Sequence, residues 1–160
     1  MNTPIISSYH LKTLKVLVAT FEQHSIEYQF TGGLAGNIYG STWPLQDIDI
    51  DVAQIDIPRV IHSFKDYIIR PFSKFIDEEF ELMLLTLKMN DVVVEINQSE
   101  NSFIFTKGRR QKLDIDLSKR QKKVFLELEM YVPPLSDLIY YKQLLNRQAD
   151  VRDLIQLAGH

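Results

Sequence analysis

Phe30-Thr31-Gly32-Gly33-Leu34-Ala35-Gly36-Asn37-Ile38-Tyr39-Gly40-Ser41-Thr42-Trp43-Pro44-Leu45-Gln46-Asp47-Ile48-Asp49-Ile50-Asp51-Val52 sets a glycine pair ahead of an alternating acidic and aliphatic run. From Asp47 to Val52 the alternation is that of a strand with one polar face. Residues two apart on a strand share a face with α-carbons roughly 6.5 to 7 Å apart, so Asp47 with Asp49, or Asp49 with Asp51, can converge on a small cation cluster. Asp47 and Asp51 stand too far apart to pair alone. Like charges on one face repel, and a divalent metal relieves the repulsion; the structural alternative is an edge strand that carries acids against aggregation. Gly32 and Gly33 follow a run in which Ile26, Tyr28 and Phe30 share a face, and glycine at such a turn lets the backbone approach a phosphate closely. Gly32, Gly33 and the amides near them are candidate triphosphate binders. Gly40 and Ser41 add a flexible amide and a hydroxyl. An ordinary strand-to-helix turn would use the same glycines.

Outward from this segment, Leu11, Leu14, Leu17, Val18 and Phe21 predict a helix over 9–24, with Ser7 and Ser8 as possible caps. Leu34 to Tyr39 fits a short helix, and Ser41 to Pro44 a turn. Pro58 opens a further helix whose apolar stripe is Val60, Ile61, Phe64, Tyr67 and Ile68. Phe80–Leu87 and Val92–Ile96 read as a hairpin across Lys88-Met89-Asn90-Asp91. Residues 98–123 show no sustained period; Phe103–Phe105 and Leu113–Leu117 fit short strands. Val124–Met130 reads as one strand, Pro133-Pro134 as a break, and Leu135–Leu145 and Val151–Leu157 as two helical stretches. The expected fold is a single α+β domain over residues 1–160, with a mixed β-sheet flanked by helices.

Composition narrows the chemistry. With 160 residues, 45% hydrophobic content and a net charge of −3, the chain can bury a sizeable core. No apolar run reaches the roughly 20 residues of a spanning helix, and the first turns of sequence lack a signal-peptide pattern, so a cytoplasmic, membrane-free protein is expected. The absence of cysteine excludes disulfides, thiolate zinc sites and cysteine nucleophiles, which leaves oxygen or imidazole ligands and favours Mg²⁺ or Mn²⁺. His10, His24, His62 and His160 show no paired ligand spacing. Residues 107–123 carry eight Lys or Arg, either a solvated face or a local basic surface for nucleic acid.

The segment Gly32, Gly33, Ala35, Tyr39, Gly40, then Asp47-Ile48-Asp49, resembles the nucleotidyltransferase superfamily related to DNA polymerase β. It is most similar to the branch that includes antibiotic nucleotidyltransferases and the abortive-infection type toxins of toxin–antitoxin pairs. The resemblance implies that Asp47 and Asp49 are the metal ligands and leaves Asp51 flanking. It also implies a third carboxylate on a later strand, for which Glu95 in Val92–Ile96 is the match and Asp91 the fallback. Residues 138–154 resemble the family's closing helices; Lys142 would reach the nucleotide phosphates, and Asp150 and Asp153 would orient Arg147 or Lys142 or cap the last helix.

The implied activity is metal-dependent transfer of a nucleoside monophosphate from an NTP such as ATP to a hydroxyl, with release of pyrophosphate. The acceptor stays open among a small molecule, a tRNA end and a protein hydroxyl, as does a homo-oligomer or an antitoxin partner. Trp43 and Leu45 stand where many relatives carry a basic residue and then Thr before the acids. That departure motivates a second expectation, a catalytically weak binding or regulatory module; Trp43 would then stack on a base or simply pack.

Overall fold

The computed structural model describes residues 5–159, and its elements change where the apolar period changes. The opening helix α1 (Ser8–Gln23) buries Leu14, Leu17, Val18 and Phe21. Ser7 caps it: its hydroxyl accepts the His10 amide N–H at 3.2 Å, while His10 Nδ1 accepts the Ser7 amide N–H at 3.3 Å. With Nδ1 accepting, Nε2–H donates to the Gln46 carbonyl at 2.7 Å and ties α1 to the chain just before the acidic run.

The mixed sheet is built around that run. β1 (Tyr28–Thr31) lies antiparallel to β2 (Ile48–Val52), and β2 lies parallel to β5 (Val92–Gln98). Between β1 and β2 runs α2 (Gly32–Ile38), and after β2 comes α3 (Ile57–Ser63), with Pro58 in its first turn. β5 forms a hairpin with β4 (Phe80–Met89) through Asn90 and Asp91, whose φ of 51° and 61° are the left-handed pair of a tight hairpin turn. β3 (Ile68–Ile76) pairs along β4, and the hairpin of β6 (Phe103–Thr106) and β7 (Arg109–Lys112) joins at Phe80 and Glu81. A separate ribbon, β8 (Gln121–Phe125) with β9 (Leu128–Val132), precedes α4 (Leu135–Leu144) and α5 (Gln148–Ala158).

Alternation gives this sheet two unlike faces. Ile48, Ile50 and Val52 are fully buried with Val94 and Ile96, in one core with Leu14, Leu17 and Phe21 of α1 and Val60 of α3. Phe21 stacks on Tyr28 at 4.6 Å between centroids and meets Phe64 edge-on at 5.7 Å. The other face carries Gln29, Thr31, Asp49, Asp51, Glu95 and Asn97 beside α4.

Three expectations from sequence need correction. The helix after Pro58 ends at Ser63, and Ile68 opens a nine-residue strand. Pro71 and the register shifts between Ile68 and Ser73 interrupt its alternation, as edge strands tolerate, so the period was illegible. Leu113–Leu117 forms no strand; Leu113 and Leu117 are anchored in the interior while the backbone between them stays irregular. Val124–Met130 is not one strand either, because Leu126 and Glu127 turn it at φ of 52° and 65° without any Gly or Asn to announce the turn. His160 lies outside the described residues. Among those described, no helix is long and apolar enough to cross a membrane.

Candidate active site

Strand register assembles the acids. Thr31, Asp49 and Glu95 form one cross-strand row, and Gln29, Asp51 and Asn97 form the next. Asp49 and Glu95 are thus side by side although 46 positions separate them in sequence, because β2 and β5 run parallel in that register. Asp47 sits exposed just ahead of β2, close enough that its charge disfavours ionisation of both Asp49 and Glu95. Burial, reinforced by Glu95, Asp47 and Asp51 and opposed by Lys142, pushes the Asp49 carboxyl up to about 7. Glu95 is raised for the same reasons, burial first and then Asp47, with Arg70 opposing. Asp49 and Glu95 thus stand side by side on the cavity wall, whereas Asp47 is outside the cavity lining and acts on them through its charge.

Asp51 takes a different role. It is buried, accepts hydrogen bonds from Gln29 Nε2 at 3.0 Å and Asn97 Nδ2 at 3.3 Å, and is pushed by burial up to about 6 against those two donors. A sequence signal for this frame existed, since Gln29 shares the strand face opposite to Tyr28 and Phe30. Nothing local indicated that Asn97 would complete it.

The raised carboxyls have a measurable consequence. Their folded-state values lie above the ordinary aspartate value, so the folded protein holds protons more tightly than the unfolded chain. The stabilisation is fully present below about pH 4 and is lost as pH rises through 6 to 7. Without divalent cation, stability measured by urea unfolding should fall from pH 5 to pH 8 by on the order of 2 kcal/mol. A flat or rising profile over that interval would contradict the burial of these charges.

The glycine turn covers the acids. Gly32 begins α2 at φ 60°, and a Cβ there would land on the Asp49 carboxylate; Gly33 faces space, with nothing within 4 Å of a Cβ. Both line a cavity of about 850 Å³ together with Asp49, Glu95 and Lys142. Its other walls include Phe80, Leu82 and Leu84 of β4, residues 111–116, Leu138 and Tyr141 of α4, and the cations Lys112, Lys119 and Arg147. Burial, then the charges of Asp49 and Asp51, holds the Tyr141 phenol in its neutral form far above the usual range. Neither Tyr141 nor the 113–116 wall was legible in the sequence, because both reach the site only through packing.

Gly40 and Ser41, expected at the phosphates, are not brought to this cavity. Gly40, at φ 114°, backs onto Leu157 of α5, and the buried Ser41 hydroxyl accepts Asn37 Nδ2 at 3.2 Å. They shape the turn that leads to Trp43. Lys142 does reach the cavity: it is buried and paired with Asp150 at 3.1 Å. Arg147 pairs instead with Glu79 at 3.2 Å, and Asp153 with the Trp43 indole at 2.9 Å. Of the basic stretch, Arg110 meets Glu81 and the Phe103 ring, Arg120 meets Glu27 and Tyr131, and Lys122 meets Glu129.

No known family profile matches the sequence, and no curated protein matches it in sequence. Solved structures do match in three dimensions. A candidate nucleotidyltransferase from Thermotoga maritima superposes with a TM-score of 0.76 at 17% identity, over 96% of this chain and 95% of its own. The lincosamide antibiotic adenylyltransferase LnuA, bound to lincomycin, gives 0.61 at 14% identity over 95% of this chain and 98% of its own. ANT(2″)-Ia in complex with adenylyl-2″-tobramycin gives 0.62 at 8% identity over 93% and 89%. Near-complete coverage in both directions, with a mixed sheet carrying acids beneath a glycine turn, establishes the architecture: this chain has the nucleotidyltransferase fold.

Proposed function

We propose that the protein transfers a nucleoside monophosphate from a nucleoside triphosphate to a hydroxyl acceptor and releases pyrophosphate. The observation that carries this reading is the in-register pair Asp49 and Glu95, which lines a cavity with Gly32 and Gly33 and feels the charge of Asp47 just ahead of β2. The donor set suits Mg²⁺ or Mn²⁺: all oxygen, and crowded enough that burial and mutual repulsion disfavour its charge. Among the described residues no group of three His, Asp or Glu side chains is placed to hold a metal ion. Mg²⁺ typically binds through one or two carboxylates and completes its shell with substrate phosphates and water, so an open donor set is compatible with it. When bound, divalent ions would neutralise the triphosphate and lower the pKa of the acceptor hydroxyl.

The chain's own residues would supply the rest. Asp47 and Asp49 would hold the metal, and Glu95, in register beside Asp49, would complete the donor set or take the acceptor's proton. The space over Gly33 admits a phosphate against the backbone, and Lys142 offers a cation. Leu138 and Tyr141 of α4, with the apolar face of β4, would exclude water from the reacting groups. The structural neighbours that hold lincomycin and adenylyl-tobramycin put hydroxyl-bearing antibiotics first among acceptors to try, ahead of tRNA ends and protein hydroxyls.

Labelled NTPs incubated with these three acceptor classes should yield a labelled acceptor and pyrophosphate, both abolished by EDTA and restored by Mg²⁺ or Mn²⁺. Absence of transfer together with metal-dependent NTP binding by calorimetry would leave the weak binding-module reading. Absence of both would sink the nucleotide site altogether.

A further inference from the structure

Lys142 is the one buried lysine among the described residues, at 7% exposure, and a buried ammonium is costly unless it is paired. Its Nζ donates to Asp150 Oδ2 at 3.1 Å and lies 5.3 Å from the centre of the Trp43 ring, within reach of a cation–π interaction. Trp43 is itself fixed on three sides. The indole Nε1–H donates to Asp153 Oδ2 at 2.9 Å, the backbone carbonyl accepts Asn37 Nδ2 at 2.8 Å, and the ring lies where a Cβ on Gly36 would be. Asp150 and Asp153 are three residues apart on α5, so one face of that helix holds both the ammonium and the indole.

An ammonium has three N–H donors, and among the described residues Asp150 is the one hydrogen-bond acceptor that Nζ has. Lys142 also lines the cavity with Gly32, Gly33 and Asp49, whereas Trp43 does not. Donors therefore remain for a cavity ligand, and the indole is no platform for a base in that cavity.

We infer that Trp43, Asp150 and Asp153 form a clamp that holds the Lys142 ammonium at the cavity wall for the polyphosphate of a nucleoside triphosphate, with Trp43 as a positioning residue. The inference rests on the triphosphate reading of the cavity. Polyphosphate oxygens arriving at Nζ compete with Asp150 and change the charge next to the indole. Trp43 is the sole tryptophan of the chain, so its emission reports that event.

The test uses the full chain with MgCl₂ and the α,β-methylene triphosphates of the four ribonucleosides; the tightest is then compared with its monophosphate by calorimetry. In Trp43→Leu the triphosphate should bind about tenfold more weakly and the monophosphate within twofold of wild type, with Trp43→Phe recovering most of the loss because the ring is kept. Equal weakening of both ligands would show a merely structural role and overturn the clamp, as would unchanged triphosphate affinity. Should Trp43→Leu fail to fold, wild-type emission decides: it should shift on triphosphate addition and not in Lys142→Met, and a constant emission overturns the clamp. If wild type binds no triphosphate, the nucleotide site itself fails and the clamp with it; binding that ignores Trp43 defeats the clamp alone.

Discussion

Asp49→Asn should lose nucleotidyl transfer by on the order of 10³-fold while melting higher than wild type at pH 8 without divalent cation. The two effects share one cause. Asp49 is half-buried; desolvation, and then the charges of Glu95, Asp47 and Asp51, push its carboxyl up to about 7, so at pH 8 the apo protein carries a charge that its surroundings disfavour. Asparagine keeps the shape and removes the charge, for a gain of about 2 kcal/mol, discounted from the full shift because part of the side chain meets solvent. Mg²⁺ should stabilise wild type at pH 8 and leave Asp49→Asn nearly unchanged. Calorimetric melts with and without MgCl₂, beside the transfer assay, check all three statements. A variant that melts lower than wild type at pH 8, or that keeps transfer, would remove Asp49 from the proposed metal site.

Gly32→Val should cost about 3 kcal/mol and abolish transfer, whereas Gly33→Ala should leave the melting temperature within a degree or two. At Gly32 the backbone is left-handed, which costs a side chain about 1–2 kcal/mol, and its Cβ would strike the Asp49 carboxylate; a branched residue adds overpacking of about 1–3 kcal/mol. At Gly33 neither obstacle exists, since nothing lies within 4 Å of a Cβ. The space over Gly33 is where a phosphate is proposed to sit, so Gly33→Ala should raise KM for the triphosphate severalfold with little change in stability. Urea unfolding and steady-state kinetics on the two variants separate a backbone requirement from a ligand requirement. Similar stability losses in both would mean that the turn is merely tight.

Local chemistry accounts for what was legible. Alternation at 47–52 predicts a strand with an acidic face, helical period and a serine cap predict α1, and Asn90-Asp91 predicts the hairpin; all three form. Strand β3 hid behind Pro71 and a shifted register, and the turn of the β8–β9 ribbon hid because Leu126 and Glu127 are not turn formers. Such elements are held by their neighbours rather than by their own propensities.

The sequence by itself determined that a glycine turn precedes an acidic strand with one polar face, and that the chain is an α+β domain without any thiol chemistry. Only the tertiary structure decided the rest. Parallel pairing of β2 and β5 put Glu95 beside Asp49, two amides on β1 and β5 enclosed Asp51, and Gly40 and Ser41 turned toward α5 and away from the cavity. Trp43 met Asp153 across 110 positions of sequence, so the indole belongs to the wall behind Lys142. Period and turn chemistry are properties of a few consecutive residues, while strand register and buried ion pairs depend on contacts between distant segments that form only when the core closes.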